Sequence, residues 1–165
     1  NWDDAQIFLA RLNAAEQAAG RLHNGWSYVL PTESEWEYAC RAGTTTAYSW
    51  GATIASSNAN YNWDASWNTG SDFKQTRDVG QYAANPWGFF DMHGNVWEWT
   101  ADWYQTAYPT GNPVIDPTGP ASGSSRVLRG GAWNGGGTDL RSARRYNHAL
   151  GGTPTLGFRV GFQKQ

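Results

Sequence analysis

The segment that most constrains the fold is Asn85–Trp103, with the sequence NPWGFFDMHGNVWEWTADW. It holds four tryptophans, two phenylalanines, two glycines and three acidic residues, Asp91, Glu98 and Asp102. Neither a helical nor a strand period fits the whole stretch. Large aromatic side chains favour burial, whereas acids and glycines favour a shaped backbone. We therefore predict an ordered loop within the core, and acids on such a loop favour a bound cation.

Composition indicates a loop-rich fold that forms one domain over residues 1–165. Only 39% of the residues are hydrophobic, but 11 tryptophans, 8 tyrosines and 6 phenylalanines supply area for a core. Twenty glycines and 7 prolines are atypical of a helical bundle. The net charge of −2 without a basic run argues against nucleic acid as a partner. No apolar run approaches the roughly 20 residues of a membrane span, so no membrane insertion is expected.

Two helices are predicted near the start of the chain. The first covers Asn1–Gly20, with Asn1 as the N-cap and an apolar face at helical spacing. The second follows a capping box in which Thr32 and Glu35 satisfy each other's backbone N–H groups, and it ends near Arg41. Its apolar face carries the sole cysteine, which we interpret as a buried thiol rather than a nucleophile. The apolar positions of the two helices are Ala5, Phe8, Leu9, Leu12, Trp36 and Cys40.

Short strands are predicted along the rest of the chain, where turn residues separate runs of apolar and β-branched residues. The final strand is the clearest, because Phe158, Val160 and Phe162 alternate. Residues 132–140 contain three consecutive glycines and are expected to be irregular and exposed, and residues 146–155 are expected to form a loop. The predicted strands before the last one are Trp26–Leu30, Arg126–Arg129 and Leu140–Arg145.

The segment Asn85–Trp103, called the central segment from here on, also suggests a cation site. Asp91 and Glu98 offer carboxylates, and Gly94 permits a tight turn that directs carbonyl oxygens between them. The alternative is a core turn whose acids accept bonds from backbone N–H groups. A second oxygen-rich stretch, residues 44–80, allows either solvated turns or another calcium site.

Patterns typical of known catalytic sites are missing from the sequence. His23, His93 and His148 are far apart and form no ligand pair, and there is no nucleophile elbow or phosphate-binding glycine loop. Five arginines occur late in the chain, where they either bind an acidic ligand or pair with the chain's own carboxylates. These arginines are Arg129, Arg141, Arg144, Arg145 and Arg159.

Five motifs in order resemble the formylglycine-generating-enzyme (sulfatase-modifying factor) family. They are LPTESEWEYACRAG (Leu30–Gly43), the segment Asn85–Trp103, RVLRGGAW (Arg126–Trp133), LRSARR (Leu140–Arg145) and LGFRV (Leu156–Val160). The resemblance implies an α+β fold of the C-type lectin-like type, in which two helices pack on short antiparallel strands and loops are abundant. It also implies that the family's initial segment, before the first helix, is missing from this sequence.

The resemblance implies structural calcium at two places. One site would use the Asp91 and Glu98 carboxylates with the carbonyls of Gly94 and Val96. The second would use Asn60 and the carbonyls of Tyr61 and Phe73. At the position of that site's acidic ligand this chain has Ser71, followed by Asp72, so the second pattern is incomplete.

Catalysis in this family needs two cysteines that bind copper(I) and activate oxygen. Gly135 stands at the first of these positions, and no cysteine follows Cys40. Thiolates are what a copper(I) site of this kind requires, so we expect no copper and no formylglycine-generating activity. Two other functions stay open: an enzyme or accessory of the sulfoxide-synthase-like branch with thiol-independent chemistry, and a structural domain of the cell surface.

A second branch of the same family comprises variable proteins diversified by retroelements. These proteins change exposed residues near the C-terminus, mainly at adenine-containing codons, and bind different ligands. The resemblance implies a non-catalytic module that binds a protein or surface ligand, exposed on a cell or on a phage or virion. The implied binding residues share small or amphipathic polar chemistry, and they are Ala132, Asn134, Gly135, Gly136, Thr138, Asp139, Tyr146, Asn147, His148, Thr153 and Thr155.

Overall fold

A computed structural model describes residues 1–62, 73–108, 110–111 and 114–164. Helix α1 spans Trp2–Ala18 and helix α2 spans Glu33–Arg41. Both predicted caps are confirmed. Asn1 accepts a hydrogen bond from the N–H of Asp4, and Thr32 and Glu35 bond reciprocally. Local signals of this kind act over one helical turn, which is why the sequence alone located both helices.

The strands form two sheets. They are β1 Trp26–Val29, β2 Trp97–Trp103, β3 Arg126–Arg129, β4 Tyr146–His148, β5 Leu156–Phe158 and β6 Gly161–Lys164. Strands β1 and β6 pair antiparallel, and the larger sheet has the order β4-β3-β2-β5. Within the larger sheet β2 pairs antiparallel with β3 but parallel with β5. The architecture is therefore α+β as predicted, with a mixed rather than a purely antiparallel sheet.

The alternation of side chains along β2 places two different environments on its two faces. Trp97 and Trp99 pack with Ala5 and Leu9 of α1 in the largest apolar cluster. On the opposite face Glu98 accepts a hydrogen bond from the indole of Trp36 in α2, at 2.7 Å. The central sheet is thus held between the two helices.

The central segment departs from the prediction in two respects. Its second half is strand β2, whose register against β3 shifts between Trp99 and Trp103, and only residues 85–96 form a loop. The alternation of Trp97, Glu98 and Trp99 is typical of a strand, but it covers only part of the segment, so no single period fits the whole. Three of its aromatic residues, Trp87, Phe89 and Phe90, are also exposed by 41 to 48% rather than buried.

The C-terminal third also differs from the prediction. Residues 140–145 form no strand, because Leu140 ends a 3₁₀ helix, Gly137–Leu140, that a turn follows. The strand lies in the next segment, as β4, which we had predicted to be a loop. The predicted final strand is divided into β5 and β6, which belong to different sheets. Within the part of the chain that the structure describes, no helix is long and apolar enough to cross a membrane.

Candidate binding surface and cation site

The base of the predicted binding segment is anchored by Arg129, whose side chain is completely buried. Its guanidinium donates to the Glu37 carboxylate in α2 and to the carbonyls of Ser142, at 2.9 Å, and Arg144. It also lies 3.6 Å from the Glu33 carboxylate. One buried cation therefore ties β3 and α2 to the backbone of residues 142–144, just before β4.

A second anchor lies under the 3₁₀ helix. Nδ1 of His93 contacts the Leu140 carbonyl at 2.6 Å, and Nε2 accepts from the N–H of Ser49 at 3.2 Å. The proton therefore resides on Nδ1, which donates to the carbonyl. Burial lowers the pKa of His93 to about 4, and the Leu140 carbonyl opposes that change. A neutral His93 therefore links the backbone at Ser49 to the backbone at Leu140.

Above these anchors, residues 133–139 form a loop that runs into the 3₁₀ helix, and its outer side is mostly exposed. The Trp133 N–H donates to the Asn95 carbonyl at 3.0 Å, and the Gly135 carbonyl accepts from Asn62 at 2.9 Å. Of the predicted binding residues on this loop, three are exposed and two half-buried: Asn134, Gly136 and Thr138, then Gly135 and Asp139. We call the segment from Asn134 to Asp139 the glycine loop.

The predicted residues of β4 lie at the edge of the larger sheet. Tyr146 is 46% exposed, and its ring stacks on Trp97 with a centroid distance of 5.2 Å. His148 meets Trp99 edge to face at 6.2 Å. Asn147 is half-buried, and alternation turns it to the other face of the strand. Buried tryptophans thus form a rigid floor under the exposed Tyr146 ring.

Trp97 also connects the two remaining predicted residues to β4. Its N–H donates to the Thr155 carbonyl at 2.8 Å, and the hydroxyls of Thr155 and Thr153 lie 2.8 Å apart. Tyr146 and Thr155 are therefore brought together by one tryptophan. Among the described residues no hydrogen bond or ring contact joins this group to the glycine loop. Ala132 is completely buried in the core beside Trp97, so its side chain lies outside the binding surface.

The four residues predicted for the first calcium site line one surface cavity of about 410 Å³. They are Asp91, Gly94, Val96 and Glu98. Asp91 has a positive φ of 55°, and its carboxylate accepts from the Gly80 N–H at 2.6 Å. The residues that the prediction names thus line one space, as a site with carboxylate and carbonyl ligands requires.

An arginine that the sequence did not assign to this cavity also lies in it. Arg159 donates to both oxygens of Glu98, at 2.5 and 2.7 Å, and to the Phe90 carbonyl at 3.2 Å. Together with the Trp36 indole, Arg159 uses both lone pairs of Glu98 Oε2, and among the described contacts only Oε1 keeps one lone pair for another ligand. Asp102, the third acid of the central segment, lies elsewhere, at the first turn of α2.

The second predicted calcium site is only partly covered by the structure, since Ser71 and Asp72 lie outside the described residues. Asn60 is buried, and its side-chain nitrogen donates to the Gln75 carbonyl at 2.9 Å. Tyr61 is buried beside it, whereas Phe73 is 43% exposed. Among the described residues no three acidic, histidine or cysteine side chains cluster as metal ligands. Carbonyl oxygens would therefore have to contribute at both sites.

The sole thiol is in no position to replace the missing catalytic cysteines. Cys40 is completely buried between Trp36 and Met92, and burial raises its pKa to about 12. The thiol therefore stays protonated at neutral pH, which confirms the interpretation as a core thiol.

We expect Cys40 to resist alkylation by iodoacetamide in the native protein at pH 8 and to react completely in denaturant. Its reaction should be slowed at least about a hundredfold by folding, because attack requires both exposure and a thiolate. Mass spectrometry of timed samples measures this, with a short unfolded cysteine peptide as the control. Alkylation at the rate of that peptide would contradict the buried assignment.

Asp102 provides a second measurable consequence of burial. It is 5% exposed, lines a cleft of about 240 Å³ beside α2, and accepts from the Glu33 N–H at 2.6 Å. Desolvation raises its pKa from 3.8 to about 6, and the Glu33 N–H opposes that increase. Because the folded state holds this proton more tightly, the stabilisation from protonated Asp102 is complete below pH 3.8. It is lost as the pH rises through 6.

We therefore expect Asp102→Asn, which mimics the protonated acid, to become more stable relative to the natural chain as the pH rises from 4 to 8. The difference between their free energies of unfolding should increase by about 1 to 3 kcal/mol over this range, since each pKa unit corresponds to about 1.4 kcal/mol. Urea denaturation at both pH values measures it. An equal difference in free energy of unfolding at pH 4 and pH 8 would show that the Asp102 carboxyl has the same pKa in the folded and the unfolded protein.

Comparison with known proteins resolves the family. The profile of the family described as "Sulfatase-modifying factor enzyme 1-like domain" matches residues 1–163. The chain belongs to this family. Formylglycine-generating enzyme from Bos taurus is 39% identical over 111 residues, which are 63% of this chain and 29% of that protein. "Serine/threonine-protein kinase pkn1" from Chlamydia caviae is 42% identical over 134 residues, 79% of this chain and 20% of that protein.

Solved structures of similar fold include a variable protein. "Treponema denticola variable protein 1" superposes with a TM-score of 0.71 and 34% identity, covering 86% of this chain and 49% of that chain. PvdO from Pseudomonas aeruginosa superposes with a TM-score of 0.75 and 26% identity, covering 100% of this chain and 60% of that chain. This sulfatase-modifying factor family domain therefore spans between one fifth and three fifths of these relatives' lengths.

Proposed function

We propose that this domain is a non-catalytic binding module whose ligand contacts the glycine loop and the exposed edge of β4. The observation that carries the proposal is the contrast between the two sides of this segment. Its inner side is anchored by Arg129, His93 and Leu140, all buried, while its outer side exposes small polar residues and one aromatic ring. A rigid base with an adaptable surface is what protein-binding surfaces combine.

The chemistry of the exposed residues supports the same proposal. Tyr146 offers a large amphipathic ring already held by Trp97, so little conformational entropy is lost on binding. Asn134 and Thr138 supply hydrogen-bonding groups on either side of the glycines. The glycine at position 135 leaves no thiol for the family's copper chemistry. Similarity to a variable protein supports a retroelement-diversified surface here.

A surface library tests whether the scaffold separates its anchors from its binding residues. We expect a display library randomised at Asn134, Thr138, Tyr146 and Thr153 to stay folded and to yield binders to an arbitrary folded protein. The matched control library is randomised at Leu140 and Ser142, both completely buried, and should lose protease resistance. General unfolding of the first library would contradict the proposal.

We further infer that a calcium ion stabilises residues 85–96, which we call the central loop. Its ligands are Asp91, Glu98 and the carbonyls of Gly94 and Val96. A ligand bound only by the folded state at a hundred times its Kd adds about 2.7 kcal/mol to stability. Chelation should therefore lower the melting temperature by several degrees, and Asp91→Ala should remove that response. Asp78→Ala is the control, since Asp78 is exposed outside the cavity. A melting curve that chelator leaves unchanged would show that Arg159 alone compensates the negative charge of Glu98.

A further inference from the structure

A shallow groove of about 480 Å³ lies beside the C-terminal end of α2. Four arginines line it and, among the described residues, no acidic side chain does. The complete lining is Arg41, Thr45, Thr46, Ala47, Arg141, Ala143, Arg144 and Arg145. The sequence left open whether its late arginines bind an acidic ligand or pair internally, and the groove separates them into two groups.

Arg145 and Arg41 bond mainly to the protein itself. Nε and Nη2 of Arg145 donate to the two oxygens of Glu33, at 2.6 and 2.7 Å, and its Nη1 donates to a backbone carbonyl. Nε of Arg41 donates to Glu37 at 2.8 Å. Both carboxylates also lie against the buried Arg129, so two acids are shared by three cations. The groove wall therefore keeps an excess of positive charge.

Arg141 and Arg144 differ because, among the described residues, only one N–H donor of each guanidinium group makes a hydrogen bond. Nε of Arg141 donates to the Thr138 carbonyl at 3.0 Å, and Nε of Arg144 donates to the Asp139 carboxylate at 3.1 Å. In the part of the chain that the structure describes, neither guanidinium makes another hydrogen bond. Both residues are exposed. Their terminal nitrogens are available for an oxyanion, which guanidinium groups bind through paired N–H donors.

We propose that this groove is a binding site for a tetrahedral oxyanion, the phosphate or sulfate ester group of a larger ligand. Arg141 and Arg144 donate the hydrogen bonds, while Arg41 and Arg145 add charge from behind. Asp139 is an internal competitor, since it occupies part of the Arg144 fork. The site rests on its own geometry and does not depend on the proposed diversification. Thr138 and Asp139 nevertheless belong to the glycine loop, so changes there would alter the affinity of this site.

The test is titration of the full chain with inorganic phosphate and inorganic sulfate at constant ionic strength, followed by NMR of the arginine Nε–Hε signals. We expect saturable shifts at Arg141 and Arg144. The double variant Arg141→Gln/Arg144→Gln should bind at least about tenfold more weakly. The matched control, Arg11→Gln on α1 with Arg21→Gln just beyond its end, loses the same charge and should change affinity less than about twofold. Methyl phosphate and methyl sulfate then distinguish the two ester classes.

The variant Asp139→Asn should change the affinity for phosphate and sulfate in the opposite direction. Removing the competing carboxylate should tighten phosphate or sulfate binding several-fold while the fold is retained, as checked by cooperative thermal unfolding. Equal weakening in the groove and control variants would overturn the proposal, because it would show unspecific attraction to net charge. Absence of saturation, or weaker binding by Asp139→Asn, would overturn it as well.

Discussion

Replacing Arg129 by methionine is expected to lower the free energy of unfolding by about 3 to 5 kcal/mol. The side chain is completely buried and donates to Glu37 and to the carbonyls of Ser142 and Arg144. Methionine fills much of the same volume but leaves two carbonyls and one oxygen of the Glu37 carboxylate without their donor, while the other oxygen still accepts from Arg41. Buried acceptors that lose their donor are costly, and Arg41 compensates the Glu37 charge only in part.

Urea denaturation at pH 7 measures the loss, and two further variants isolate its cause. Arg129→Met/Glu37→Gln should recover part of the stability, since the carboxylate that lost one of its two cationic partners is then neutral. Arg21→Met, which breaks the exposed pair with Glu16, should change stability little. A loss for Arg129→Met no larger than that for Arg21→Met would contradict the role of Arg129 as the anchor of the binding segment.

Gly94→Ala is expected to cost about 2 to 4 kcal/mol, from a steric clash added to an unfavourable backbone conformation. The φ of Gly94 is +88°, and an added Cβ would lie 2.4 Å from the Asn60 carbonyl oxygen and 2.9 Å from a methyl of Leu140. The central loop, the Asn60 segment and the 3₁₀ helix meet at this point. A methyl group would force all three apart.

Gly88→Ala is the matched control because Gly88 has nearly the same φ, +85°, and no atom within 4 Å of the added Cβ. It should lose only about 1 kcal/mol, the cost of the left-handed conformation alone. Thermal denaturation of both variants separates the two contributions. Equal losses would show that the close approach at Gly94 is relieved without cost, and would leave the central loop with no special role in the packing.

Elements set by local chemistry were predictable from the sequence. The capping box of Thr32 and Glu35 defines the start of α2 within one turn, and RVLR identifies β3. Strand β4 was missed because residues 146–155 are rich in glycine, threonine and other turn residues. Residues 140–145 form no strand because tertiary contacts hold their backbone. Arg129 uses the carbonyls of Ser142 and Arg144, and Leu140 is buried beneath the glycine loop, so these residues cannot pair as a strand.

The candidate sites were predictable only in part, for the same reason. The cation-site residues Asp91 and Glu98 are close in sequence, so one turn brings them to one cavity. Arg159 lies about sixty residues further along and reaches Glu98 through the parallel pairing of β5 with β2, which no local signal specifies. Likewise, only the structure shows that Trp97 supports both Tyr146 and Thr155.

Sequencing the genomic DNA on both sides of the gene shows whether the binding surface is diversified, because it reveals the template from which the changes are copied. We expect a reverse transcriptase gene and a template repeat that differs from the codons of residues 132–155 at adenines. Those differences should fall in codons of exposed residues such as Asn134, Thr138 and Tyr146, and spare the buried Leu140. A locus without a template repeat, and with this segment invariant among isolates, would show that no retroelement diversifies the binding surface.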